Sequence, residues 1–446
     1  MANRFWVGGT ATWDGTALLK WSLTSGGVGG EAVPTAADDV YFDAASGAVT
    51  ITLSGARTCL SFNSTGFTGT LTGTGTLTVS ANAIYGAGAT FTNTGVWTFN
   101  ATSGIQQITT NGKALDFPIT ENGVGGTLQL QDNLTTGATR STTLTNGTLD
   151  LNNFTLTTGF FSSNNANIRT LAFGTGSLYV NGIGNSTVYT ASDSTNYTVT
   201  GSKNVYVTGV GTPGNTRTIA GGLLTSSGSS ANALNFYISA GTDTISLGTA
   251  TRVFNTVDFT GFSGSTTANI VPQFYGSLVL STGMTVTSGT GTWVFAATTS
   301  QTITSNGRTI NVPITFNGVG GVWACQDALT LASTRALTIT NGTVQLKSGV
   351  TSTVGSFVAN NANTKSLQST TPGSQATISQ ASGTVTVADL TIRDSNAVGG
   401  ASWTAYVDYE NVDAGNNDGW NFGLSPPYES FEPPIKLRSF TQPRRF

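Results

Sequence analysis

Histidine is absent from this 446-residue chain, and cysteine is limited to Cys59 and Cys325. Without histidine there is no Ser-His-Asp or Cys-His triad and no imidazole ligand for a metal. Charged residues make up only 9% of the chain, against roughly 25% in ordinary globular domains. The formal net charge is −3. No basic field is available for nucleic acid, and little charge of either sign can steer a partner. Six lysines and two methionines leave few straight-chain helix formers, which argues against a helical or α/β enzyme. No apolar run approaches the eighteen or so residues of a membrane helix. The opening MANRFWVGG lacks the apolar segment of a secretory signal and is soon followed by Asp14 and Lys20. Neither membrane insertion nor standard secretion is expected.

What is present suits pleated strands and tight turns. Threonine, valine, phenylalanine and tyrosine alternate with polar residues, and 57 glycines with many Asn-Gly pairs punctuate them. Pieces such as Val49/Ile51/Leu53, Leu128/Leu130 and Leu178/Val180 read as strands with one buried face. Hydrophobic residues at 38%, regularly alternated, also argue against disorder. Leu77, Trp97 and Phe117 recur at twenty-residue steps, and TLTNGTLDLNNFTLTTG (143–159) has the texture of short strands joined by asparagine turns.

A long internal duplication organises the chain. Residues 108–150 and 303–345 align at an offset of 195 with 23 of 43 positions identical. Cys325 aligns with Leu130, so the cysteines are not equivalent. They are expected to be two idle thiols, not a disulfide. The expected organisation is an N-terminal cap over 1–44, solenoid copies over 45–175 and 240–384, and a connecting β segment over 176–239. A C-terminal cap spans 385–424 and a tail 425–446. The fold class expected is all-β, a right-handed parallel β-solenoid (β-helix) with aromatic-rich end caps. Coils of roughly 20–25 residues would give about 15–18 turns and a rod on the order of 70–90 Å. A string of β-sandwich domains is the alternative, although sandwiches would repeat near every ~100 residues. Trp6, Trp13 and Trp21 mark one cap; Trp403, Tyr406, Tyr409 and Trp420 mark the other.

The opening NRFWVGGTATWD, with WSLTSGGVGG and VPTAADDVYFDA behind it, resembles the start of a family of tailed-phage β-helical virion proteins common in aquatic phages. The phrases WTFNATSG, TNGKALDFPIT, NGVGGTLQLQD and LTNGTLDLNN resemble the body of those proteins, and NAVGGASWTAY…NNDGWNF resembles their close. The resemblance runs to Phe422. It implies a fibre- or spike-like structural protein of the virion, assembled in the bacterial host cytoplasm and working without enzymatic activity or a cofactor. Other virion proteins, a host surface glycan or protein receptor, and further copies of the chain are the partners implied. A homotrimer is favoured by the closed symmetry of such assemblies. A tailspike polysaccharide depolymerase and a head or tail decoration protein without receptor binding are the alternatives. No functional residue carries over from the family.

Individual candidates are few. The candidate acidic pairs for glycoside cleavage are Asp116/Glu121, Asp389/Asp394 and Asp408/Glu410. The first is absent from the second copy, where Asn311 and Phe316 stand. Solvated turn or cap residues are the preferred reading, and no catalytic, cofactor or metal residue is assigned. The run Asp413–Gly419 offers oxygen ligands but fails the EF-hand spacing, so an Asx-turn is expected. Asp132, Arg140 and Lys113 recur as Asp327, Arg335 and Arg308, which suggests structural pairing across coils. The tail carries five of the eleven prolines, together with Tyr428, Phe431, Phe440, Arg444, Arg445 and Phe446. Those six are the expected partner-binding residues, since prolines restrict the free chain and aromatics supply contact area.

Overall fold

In the computed structural model the chain is a parallel β-solenoid of about 16 turns, 47% strand and 2% helix. The structure describes residues 2–16, 19–222, 229–248, 251–267 and 271–426. Each turn lays one short strand on each of three faces. Phe62–Asn63, Thr70–Gly73 and Thr76–Val79 form one turn. Ala83–Ile84, Thr90–Phe91 and Trp97–Phe99 pair onto them in parallel, face by face, as the next. Among the described residues every strand pairing is parallel except that of Asn3–Trp6 with Trp21–Ser22. That antiparallel pair lies in the N-terminal cap, where Trp6, Trp13, Trp21 and Phe42 are fully buried with edge-on ring contacts of 5.1 and 5.3 Å between the tryptophans.

The register makes columns. One runs outward through Thr58, Thr78, Thr98, Thr120 and Thr143. Uncharged hydroxyls stack there without the repulsion that like charges would bring at strand-to-strand spacing. The neighbouring inward column is Cys59, Val79, Phe99, Glu121 and Leu144. The sequence rhythm Leu77, Trp97, Phe117 holds for its first step only. Trp97 pairs with Leu77 and with Ile119, and Phe117 instead stacks its ring on Trp97 at 4.5 Å. The turn lengthens there by two residues. Burial pushes both free thiols well up from their ordinary pKa, and they sit on different coils.

The duplicated unit appears twice on different sides of the rod. In the first copy, Ile119–Leu130 turns a corner from the third face onto the first, where it pairs with Ile105–Thr109. In the second copy, Ile314–Cys325 starts on the first face, against Trp293–Phe295, and ends on the second, against Ser300–Thr304. The second face can be followed strand by strand from Ala114–Leu115 through Ser177–Val180 and Asn235–Ile238 to Ser300–Thr304. That path spans eight turns. The 195-residue offset is therefore eight turns and one further face, or about 23 residues per turn, in line with repeat lengths of ~20–45 residues.

Both copies build the corner in the same way. A Cβ on Gly126 would lie 1.8 Å from the carbonyl oxygen of Ala101, and one on Gly321 would lie 1.9 Å from that of Ala297. Asn146 donates to Asn122 at 2.6 Å and Asn341 to Asn317 at 2.7 Å, tying successive corners together. Two neighbouring substitutions separate steric blockage from backbone strain. Gly320→Ala, at φ +72° in open space, should cost about 1–2 kcal/mol of unfolding free energy, the usual left-handed penalty. Gly321→Ala should cost clearly more in the same denaturant titration, because the adjacent coil must move.

Candidate functional site

Any hydrolytic chemistry would rest on the carboxylates. Asp116 points outward and is held by Arg140 through Nε–Oδ1 (2.9 Å) and Nη2–Oδ2 (3.2 Å) contacts. Glu121, five residues on, points into the bore and is 1% exposed. The two do not face a common groove. Asp394 is buried and accepts from Gly373 N (3.1 Å) and Asn416 Nδ2 (2.7 Å). Asp389 sits in a left-handed turn at φ +51°. Asp408 accepts from Ser425 N at 3.0 Å, and Glu410 occupies the left-handed end of a short 3-10 turn. Asp413 closes an Asx-turn with Gly415 N (3.0 Å) and Asn417 Nδ2 (2.6 Å). Among the described residues no group of three or more acidic or cysteine side chains could hold a metal ion.

Of the charges shared by the two copies, the aspartates and Arg140 with Arg335 bind across coils, to partners other than one another. Asp132 accepts from Thr110 N (2.8 Å) and Asn111 N (2.6 Å), and Asp327 accepts from Ser305 N (2.9 Å). Arg335 keeps the contact that Arg140 makes, at 3.1 Å to Asn311, where an amide replaces the carboxylate of Asp116.

Buried cations plug the corners. Arg169 is fully buried and donates to Ser163 Oγ (2.7 Å), Asn167 O (2.8 Å) and Thr195 O (2.8 Å), with its guanidinium carbon 5.0 Å from the Tyr197 ring centroid. Lys365 occupies the matching place in the second copy, behind Asn360-Asn361-Ala362-Asn363, and donates to Asn361 O and Asn363 O. Arg217 and Asp243 form a fully buried pair at 2.6 and 2.9 Å. These groups satisfy loop carbonyls from inside the solenoid.

The surface feature that stands apart lies within 176–239. Tyr179, Tyr206 and Tyr237 occupy one outward column on three successive coils, with centroids 4.6 and 4.9 Å apart and planes within 16° and 20°. Beside them, Asn255 donates to Asn235 at 2.7 Å and Asn235 to Asn204 at 2.9 Å. At the adjoining corner Ile183 and Val210 are 58% and 67% exposed. The ring faces are spent on one another, each stack contributing about 0.5–1.5 kcal/mol. The three side chains are half-buried, and their hydroxyls have no hydrogen-bond partner among the described residues. The result is an uncharged, amphipathic strip three coils long. The sequence carried its signal in SLYV, NVYV and NFYI, a tyrosine third in each four-residue strand. Irregular spacings of 27 and 31 residues hid it from a search for a fixed period. The expected binding residues Tyr428, Phe431, Phe440, Arg444, Arg445 and Phe446 lie outside the described residues.

Glu121 stands where the second copy has Phe316, which stacks on Phe295 at 5.0 Å. Its Oε1 accepts from Gly123 N at 3.0 Å, and Oε2 is buried without a partner. Burial pushes its pKa up to about 8, partly opposed by the Gly123 amide. The folded state therefore holds a proton that the unfolded chain gives up near the ordinary value of 4.5. The resulting stability is complete below that value and is lost as pH rises through about 8. Denaturant titrations of wild type and Glu121→Gln between pH 5 and 9 should show wild type weakening relative to the variant as pH rises. Parallel curves would contradict this assignment.

Comparison of the chain with protein-family models, curated proteins and solved structures returns no match.

Proposed function

We propose that this chain is a non-enzymatic structural protein of a tailed-phage particle, a fibre- or spike-like rod that helps the particle attach to its host. The observation that carries the proposal is the solenoid itself: about 16 parallel turns behind an aromatic N-terminal cap. Such a column is long, stiff and hydroxyl-coated, and each added turn extends it by about 4.8 Å. The likeness of both ends and of the body phrases to virion proteins supports the same reading. The carboxylates of the three candidate pairs sit in turns, an ion pair or the bore, which favours a structural rod over a depolymerase. On this reading the tyrosine-asparagine strip contacts a host surface glycan or protein, other virion proteins hold the base, and three copies assemble about one axis.

Two experiments test it. Gold-labelled antibody against the protein should decorate intact particles at one structural position, and labelling confined to non-particle fractions would refute the proposal. Labelled protein should bind host cells, and Tyr179→Thr/Tyr206→Thr/Tyr237→Thr should lower that binding at least tenfold while far-ultraviolet circular dichroism stays unchanged. Equal binding by the variant would remove the strip from the proposal.

A further inference from the structure

The last turn of the solenoid is sealed inside and open at its end. Phe357, Trp403 and Trp420 pack over the bore with centroids 5.0–6.2 Å apart. Beyond them, Val412–Asp413 pairs back onto Leu390–Arg393, and Trp420–Asn421 pairs back onto Ser402–Thr404. No further strand lies on their outer edges among the described residues. Val407, Tyr409, Val412 and Leu424 around this rim are 48%, 42%, 51% and 74% exposed. An open strand edge with apolar residues invites another chain. The rim also has one sign of charge: Asp408, Glu410, Asp413 and Asp418 lie on it, and no lysine or arginine occurs between Arg393 and Lys436.

We propose that residues 427–446 of this chain cover that end as a final rung. Four features of the chain favour this occupant. The segment has 20 residues, close to one turn of about 23. It carries Tyr428, Phe431, Phe440 and Phe446 for the apolar rim. Lys436, Arg438, Arg444 and Arg445 outnumber its two glutamates and complement the acidic rim. Its Pro427, Pro433 and Pro434 lack backbone donors, as suits an outermost strand that must not template another. The path is also begun: Val407 N donates to Gly423 O at 3.2 Å and Ser425 N to Asp408 Oδ1 at 3.0 Å, so the chain enters the segment already lying across the rim. The inference is independent of any role on a particle.

The test compares full chain, a truncation after Pro426, and full-length Lys436→Glu/Arg438→Glu/Arg444→Glu/Arg445→Glu by hydrogen exchange and light scattering. Truncation should speed amide exchange across 407–424 at least tenfold and leave the turns before 380 unchanged. A synthetic 427–446 peptide should restore protection, and the charge-reversed chain should behave as the truncation does at low salt. Should the truncation fail to fold, the charge-reversed full chain supplies the same readout. Unchanged exchange in both variants would overturn the proposal. So would an oligomer that becomes monomeric on truncation, since the segment would then sit on a neighbouring copy.

Discussion

Everything in this molecule depends on parallel coils staying in register along one axis. Each backbone amide on a face bonds to the coil beside it, so every inward side chain must sit directly on another inward side chain. A one-residue slip would turn the whole column inside out. This requirement explains why the chain can do without charge. The outward threonine column through Thr58, Thr78 and Thr98 stacks neutral groups that tolerate close repetition, whereas a column of like charges would not. It also explains the corner glycines, since Gly126 and Gly321 pass within contact distance of a carbonyl on the preceding coil.

The same constraint decides what the few charges do. Arg169, Lys365 and the Arg217–Asp243 pair are turned inward against loop carbonyls or one another. Breaking such a buried pair typically costs about 3–5 kcal/mol, so these residues hold corners and are not available for chemistry. Glu121 is the exception: a protonated carboxyl in a column otherwise filled by Val79, Phe99 and Leu144.

Much of the fold was legible because a solenoid writes its architecture as local repetition. The 195-residue offset, the Asn-Gly turns and the tryptophan-rich ends were sufficient for parallel coils and aromatic caps. The step from Trp97 to Phe117 misled because turn length varies, and pairing with Ile119 is fixed by the corner, not by the hydrophobic period. The shift of the second copy by one face could not be read from sequence, since it follows from the summed lengths of eight turns between the copies. Equivalent residues of the two copies therefore do not line up on one side of the rod. The tyrosine column over 179–237 was concealed by its uneven spacing. The burial of Glu121 was also hidden, because a carboxylate in strand alternation reads as a bulge or an exposed position until its column is known.

The central claim is the coil-on-coil register, and paired cysteines test it most directly. Thr78 and Thr98 face outward on adjacent coils and are direct partners, and Thr120 lies one coil further on. Direct partners stand about 4.8 Å apart, within the 4.4–6.8 Å Cα range of a disulfide, and residues two coils apart, at about 10 Å, lie outside it. Mild oxidation should therefore cross-link Thr78→Cys/Thr98→Cys fully and leave Thr78→Cys/Thr120→Cys free. Cross-linking of the second pair, or failure of the first, would contradict the stacked-coil account.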